Sequence, residues 1–238
     1  MTALLHLDDA YLREMSATVV GIEGRGIVLD RTVFYPQGGG QPGDSGLLLT
    51  AAGEVPVTVT RYSQDRSIVL HMATDGAPLP GIGETVVGRI DWPQRFARMK
   101  MHTALHLLSV VLPYPVTGGS VGDGEGRVDF DMPDGGPERG EIESELRRFV
   151  VGDAAVGTRW ITDEELLANP GLVKTMKVKP PMGTGRIRLV EIEGIDLQPC
   201  GGTHVARTGE IGQVGVTGIE KKGRQNRRVR IALAPSRR

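Results

Sequence analysis

The chain holds five histidines and a single cysteine, so matched pairs of metal-binding side chains should be scarce. Two occur. His102 and His106 stand four apart in RMKMHTALHLL, and Cys200 and His204 stand four apart in QPCGGTHV. Residues i and i+4 of an α-helix share one face, about 6 Å apart, so the first pair can converge on one ion. In the second pair Gly201 and Gly202 let the backbone fold tightly and bring both side chains to one side. Three imidazoles and a thiolate form a soft-to-borderline donor set suited to tetrahedral Zn2+, one per chain. Either pair alone has a plain reading, as ordinary helix histidines or a small core cysteine; together they point to a metal. Four protein ligands are the usual count of a closed structural site, whereas catalytic zinc commonly keeps three and a water. The HExxH peptidase pattern does not apply, because Thr103 stands where its glutamate would be. His6 and His71 lack such context and read as surface or packing residues.

Two further stretches could do chemistry. FYPQGGGQPGDSG, residues 34–46, exposes backbone amides around Gly39, Gly40 and Gln41. It lacks the Lys-Ser/Thr ending of a P-loop; it reads either as a tight barrel turn or as a backbone surface for a nucleic acid. PVTGGSVGDGEGRVDFD, residues 115–131, places Thr117 and Ser120 after the metal helix. Their hydroxyls could sort a hydroxyl-bearing substrate or simply make turns.

Those side chains need elements to hold them. Asp91 can cap a helix with Pro93 in its first turn, and the stretch WPQRFARMKMHTALHLLSVVL then runs unbroken to Pro113. A second helix is expected over 138–151 and a short one from Thr162. Residues 186–193 read as a strand, and the segments flanking Gly223 read as a hairpin. Upstream, Val- and Ile-rich runs at 17–23, 26–34, 55–63, 67–73 and 85–91, with Gly or Pro turns between them, predict a small barrel or sandwich. Helical periodicity there reaches no further than residues 8–14. Strands and helices mix without a βαβ alternation, so the class is α+β, with a β-barrel domain at 1–90 and a zinc-binding α+β domain at 91–238.

Composition bounds the rest. Of 238 residues 39% are hydrophobic and 24% charged, ordinary globular values. One cysteine excludes an internal disulfide, no apolar run approaches a membrane span, and the N-terminus lacks the basic start of a signal peptide. The cytoplasm is expected. The net charge of −1 hides a gradient: residues 1–92 carry 6 Lys+Arg against 11 Asp+Glu, residues 93–238 carry 22 against 18. Lys221, Lys222, Arg224, Arg227, Arg228, Arg230, Arg237 and Arg238 cluster near the end, as suits a polyanion partner or a solvated hairpin.

Together the strings FYPQGGGQPGDSG, RMKMHTALHLL, TGGSVGDGEGRVDFD and CGGTHVARTGEIG resemble the editing domain of alanyl-tRNA synthetase and its freestanding AlaX trans-editing relatives. The pairing of HTALH with CGGTH about a hundred residues later is specific; the triple glycine alone is not. The resemblance implies a translation-factor-like β-barrel followed by the α+β domain shared with threonyl-tRNA synthetase. It implies hydrolysis of mischarged Ser-tRNA(Ala), sometimes also Gly-tRNA(Ala), without ATP. On it His102, His106, Cys200 and His204 match the zinc ligands, and Thr117 matches a residue that helps recognise serine; His102, His106 and Thr117 are the expected catalytic set. Expected tRNA contacts are Gly39, Gly40, Gln41, Arg95, Arg98, Lys100, Lys221, Lys222 and Arg224. Two other readings stay open at this stage: a non-catalytic zinc-stabilised tRNA-binding module, and a deacylase for another aminoacyl-tRNA. The oligomeric state is open, with a monomer favoured, and so is the choice between a zinc that activates water and one that only organises the pocket.

Overall fold

The computed structural model describes residues 2–132, 136–175 and 185–234, which leaves Arg237 and Arg238 of the cationic cluster outside. The chain divides into two compact units, Met1–Phe96 and Ala97–Arg238.

The first unit contains strands β1 (Ala3–Leu4), β2 (Glu14–Glu23), β3 (Gly26–Leu29), β4 (Arg31–Thr32), β5 (Gly46–Thr50), β6 (Gly53–Tyr62), β7 (Val69–Ala73) and β8 (Thr85–Ile90). Six of them close into a barrel in the order β2-β3-β7-β6-β5-β8, so the sandwich alternative falls away. Every neighbouring pair is antiparallel. Alternation drives the closure: β6 buries Val55 and Val57 and exposes Glu54, Pro56 and Thr58. The inward residues meet as one core that includes Val19, Ile27, Leu29, Phe34, Leu48 and Val86. Residues 8–14 form no helix, and Glu14 already opens β2; a three-residue 3-10 turn at Leu5–Leu7 precedes them.

The glycine-rich segment folds onto this barrel. Gly38 and Gln41 exchange both backbone hydrogen bonds, at 3.1 and 2.9 Å, around Gly39 and Gly40. Those two have φ of 56° and 83°, the pair of left-handed residues that a two-residue type I′ turn demands. Gly43 lies so close to β6 that a Cβ there would stand 1.7 Å from the Thr60 carbonyl oxygen. Behind the turn, the buried Asp44 carboxylate accepts from the Tyr35 amide at 2.7 Å and from the Arg95 guanidinium. Arg95 itself is fully buried and also donates to the carbonyls of Ala10 and Val33, at 3.0 and 2.6 Å. Arg95 is therefore an architectural cation and not a surface contact for RNA. His71 is buried as well: its Nδ1 donates to the Ile27 carbonyl at 2.9 Å and its Nε2 pairs with the Thr32 hydroxyl at 2.8 Å.

Helix α1 (Trp92–Val111) starts as its sequence predicts, with the Asp91 side chain accepting from the Gln94 amide at 3.1 Å. The second unit continues with β9 (Val116–Val121), β10 (Glu125–Asp131), α2 (Arg139–Val151), β11 (Val156–Ile161), α3 (Asp163–Ala168), β12 (Ile187–Ile192), β13 (Asp196–Pro199), β14 (Val214–Lys221) and β15 (Asn226–Leu233). Two antiparallel sheets result, β14-β15-β10-β9 and β11-β12-β13. Thr162 caps α3 in a reciprocal capping box with Glu165. The class is α+β with a closed barrel, as the sequence indicates. Among the described residues no helix is long and apolar enough to cross a membrane.

Candidate metal centre

Helix α1 presents His102 and His106 from successive turns, and the segment leaving β13 turns back to present Cys200 and His204. The pairs are about a hundred residues apart in sequence and adjacent in space. The four ligand atoms all lie within 4.8 Å of one another. Cys200 Sγ stands 3.6 Å from His102 Nε2 and 3.4 Å from His204 Nε2. Ring centroids are 5.2 Å apart for His102–His106, 4.3 Å for His102–His204 and 4.5 Å for His106–His204.

These spacings fit a tetrahedral ion. With Zn–S near 2.3 Å and Zn–N near 2.0–2.1 Å, two such ligands at a tetrahedral angle lie about 3.6 Å apart. Three buried histidines that crowd a thiol at this range make a poor apolar core and a good donor set.

Outer hydrogen bonds aim the ligands. Thr103 donates its hydroxyl to the Met99 carbonyl at 2.9 Å, and its oxygen lies 3.1 Å from His204 Nδ1 and 3.3 Å from the Val205 amide. With Nδ1 as the donor, His204 turns a bare Nε2 to the centre. Asp196 Oδ2 lies 3.3 Å from His106 Nδ1 and accepts from Gln198 Nε2 at 2.6 Å. A carboxylate behind a ligand histidine fixes its tautomer and raises its basicity. Arg188 donates to the carbonyls of Cys200 and Gly202, both at 2.9 Å, and so holds the CGG turn in shape.

The charges follow. Burial works to raise the Cys200 thiol, but the His102 and His204 imidazoles hold it well below the usual thiol range, in the thiolate form a metal needs. Burial would lower His106, yet its bonds to Asp196 and Cys200 push it up to about 9. His204, with burial and two neighbouring imidazoles against it, falls to about 3. Asp196 is raised by burial but held at about 2 by His106 and Lys174.

The Thr117 hydroxyl, on β9, is 3.2 Å from the Asp129 carbonyl and 3.3 Å from Asn226 Oδ1. Arg98 is buried and ion-paired to Asp123 at 2.5 Å, so its charge is already matched; it is corrected from RNA contact to internal pair. Lys100 is half-buried. Gly39 and Gly40 are exposed, whereas Gln41 is buried. Lys221, Lys222 and Arg224 are exposed on the β14–β15 turn, with Lys222 paired to Glu220 at 2.8 Å. Asp129 neutralises Arg228 by two bonds of 2.7 and 2.9 Å. Sequence reasoning missed Thr103, Lys174, Arg188, Asp196 and Gln198 as parts of the centre. Only one signal was present, the alternation of Asp196 and Gln198 two residues apart just before the cysteine, which puts both on one face of a strand.

Sequence comparison agrees with this geometry. Residues 187–230 match the threonyl and alanyl tRNA synthetase second additional domain, and residues 6–94 match tRNA synthetases class II (A). The alanyl-tRNA editing protein AlaX-M of Saccharolobus solfataricus is 35% identical over 99% of this chain and 100% of its own length. That of Methanosarcina mazei is 33% identical over 98% of this chain and 97% of its own. The alanine–tRNA ligase of Korarchaeum cryptofilum is 38% identical over 90% of this chain, which spans 24% of that longer protein. End-to-end identity at this level, with the four ligand positions drawn together, places the chain in the family of AlaX-M alanyl-tRNA editing proteins.

Proposed function

We propose that this chain is an aminoacyl-tRNA deacylase that hydrolyses, in trans, the ester of tRNA(Ala) mischarged with serine or glycine, with one Zn2+ held by His102, His106, Cys200 and His204. The single observation that carries the reading is the convergence of four ligand atoms within 4.8 Å in a chain similar throughout to editing proteins. A bound Zn2+ supplies Lewis-acid polarisation of an ester carbonyl. The protein's own part is positional. Thr103 and Asp196 fix two imidazoles by their Nδ1 atoms, and Arg188 fixes the turn that carries Cys200.

Selection has a physical rationale. A synthetic site shaped for alanine gains only about 1–3 kcal/mol against a substrate one small group larger or smaller. A second site that hydrogen-bonds the serine hydroxyl reverses the order, since alanine would leave that partner unpaired. Thr117 takes this role. Its two present bonds, at 3.2 and 3.3 Å, are long for a hydroxyl, so exchanging one for a substrate hydroxyl costs little. The exposed Gly39–Gly40 turn and the exposed Lys221, Lys222 and Arg224 are the surfaces we assign to tRNA. A protein acting on charged tRNA belongs in the cytoplasm.

The test pairs metal analysis with release of free serine from Ser-tRNA(Ala). We expect one zinc per chain, and a loss of about a hundredfold or more on chelation or in Cys200→Ala, as several kcal/mol of charge stabilisation disappear. Zinc-dependent tRNA binding without release of serine would replace the enzyme by an RNA-binding module.

A further inference from the structure

We infer that Lys174 is a specificity-positioning residue, tying the strand that carries Thr117 to the ligand histidine His106; the inference rests on the deacylase reading above. Lys174 is anchored twice. Its carbonyl accepts from the Val116 amide at 3.0 Å, and the adjoining Thr175 bridges Val116 in parallel, just before Thr117. Its ammonium reaches in the other direction to Asp196 Oδ1, with Ser109 Oγ at 3.5 Å. Asp196 then spends its second oxygen on His106 Nδ1 at 3.3 Å and on the Gln198 amide at 2.6 Å. Ser109, one helical turn beyond His106, donates to the His106 carbonyl at 2.7 Å. The path from the backbone beside Thr117 to a ligand ring thus runs through one lysine side chain and one carboxylate, and its last step, from Asp196 to His106, is an ion-pair contact at 3.3 Å.

The chemistry of the link explains its residue types. Asp196 is almost completely buried, and a buried carboxylate needs paired charge. His106 meets one oxygen and Lys174 the other, so the carboxylate is held from both sides. On the opposite flank β9 has a register shift at Asp129/Phe130, the point facing Thr117. A strand irregular at that point depends on its outer partner to fix where the next side chain stands. That outer partner is the Lys174–Thr175 backbone. A displacement there of a fraction of an ångström would move the Thr117 hydroxyl relative to the centre, and rates fall steeply with such misplacement.

Lys174→Met keeps the length and loses the charge; Lys174→Arg restores a cation. In Lys174→Met we expect Ser-tRNA(Ala) deacylation, as kcat/KM, to fall about tenfold while Gly-tRNA(Ala) deacylation falls about twofold or less. Zinc content should stay at one per chain, and Lys174→Arg should recover most of the loss. Thr117→Val sets the scale, and adding Lys174→Met to it should cost little more, since both act through one contact. Equal losses on both substrates, or additive losses in the double variant, overturn the assignment. A second readout needs no activity: amide hydrogen exchange over residues 115–121 should quicken in Lys174→Met and return toward wild type in Lys174→Arg. Unchanged exchange there also overturns the tie. If the wild-type chain hydrolyses neither substrate, the deacylase reading fails on its own, and the exchange measurement still decides whether Lys174 holds the strand.

Discussion

In the first unit, Arg95, in the first turn of α1, sits inside a shell of acceptors: the Asp44 carboxylate and the carbonyls of Ala10 and Val33. His71, nearby in the same unit, has a partner on each ring nitrogen. In the second unit three buried imidazoles do the reverse. His106 and His204 place their outward Nδ1 atoms on protein partners, and the ligand atoms of the three histidines and Cys200 lie within 4.8 Å of one another. Both arrangements bury polar groups; in the first, the buried charge of Arg95 is matched within the protein by Asp44. A buried cation with its counter-charge in the same chain is architecture, while a cluster of donors pointed at a common centre could hold an ion that the chain does not encode.

The largest effect should come from breaking the charge-matched pair of Arg95 and Asp44. Asp44→Ala leaves the Arg95 guanidinium buried without its counter-charge, which costs about 3–5 kcal/mol. Thermal or urea unfolding should show that loss equally with and without a chelator. A chelator-dependent loss would mean that the barrel pair and the metal centre are not separate systems. Next is the pH dependence of the barrel. Burial depresses His71 from 6.5 to about 4 in the folded chain, so below pH 6.5 the unfolded chain takes up a proton that the folded chain refuses. Stability is therefore full above pH 6.5 and declines as the pH falls to about 4, by about 3 kcal/mol in all. Urea unfolding at pH 7, 5.5 and 4 measures it, and His71→Gln, which does not titrate, should remove that share of the slope. Equal slopes in the two proteins would show that His71 is not held neutral.

The contrast between the clusters also accounts for what could be read in advance. The convergence of His102, His106, Cys200 and His204 was legible because metal-binding side chains are restricted in type and spacing at once: two i, i+4 pairs and one cysteine. Helix α1 was legible from its cap and its unbroken run. β5 was not, since Gly46–Thr50 is five residues with three leucines, and only its neighbours β6 and β8 make it a strand. β11 is exposed or half-buried throughout and shows no alternation to read. Arg95 and Arg98 look like surface cations because their partners, Asp44 and Asp123, lie 51 and 25 residues away. Such ion pairs are assembled from distant, chemically ordinary residues, and nothing local marks them.

The smallest effect sharpens the comparison within the centre itself. Asp196→Asn keeps the shape of the side chain and a hydrogen bond to His106 Nδ1, but removes the charge that stands behind the ring. Loss of such an outer carboxylate usually weakens metal affinity by 10- to 100-fold, or about 1.4–2.7 kcal/mol, below the cost expected for Asp44→Ala. Both substitutions remove a carboxylate charge from an equally buried side chain, yet their readouts should separate: Asp44→Ala moves the unfolding transition and leaves zinc affinity alone, while Asp196→Asn moves zinc affinity, measured by competition with a chromophoric chelator. If Asp196→Asn instead lowered stability by as much as Asp44→Ala and left zinc affinity unchanged, Asp196 would be a structural ion-pair partner of Lys174, and the centre would rely on its four ligands alone.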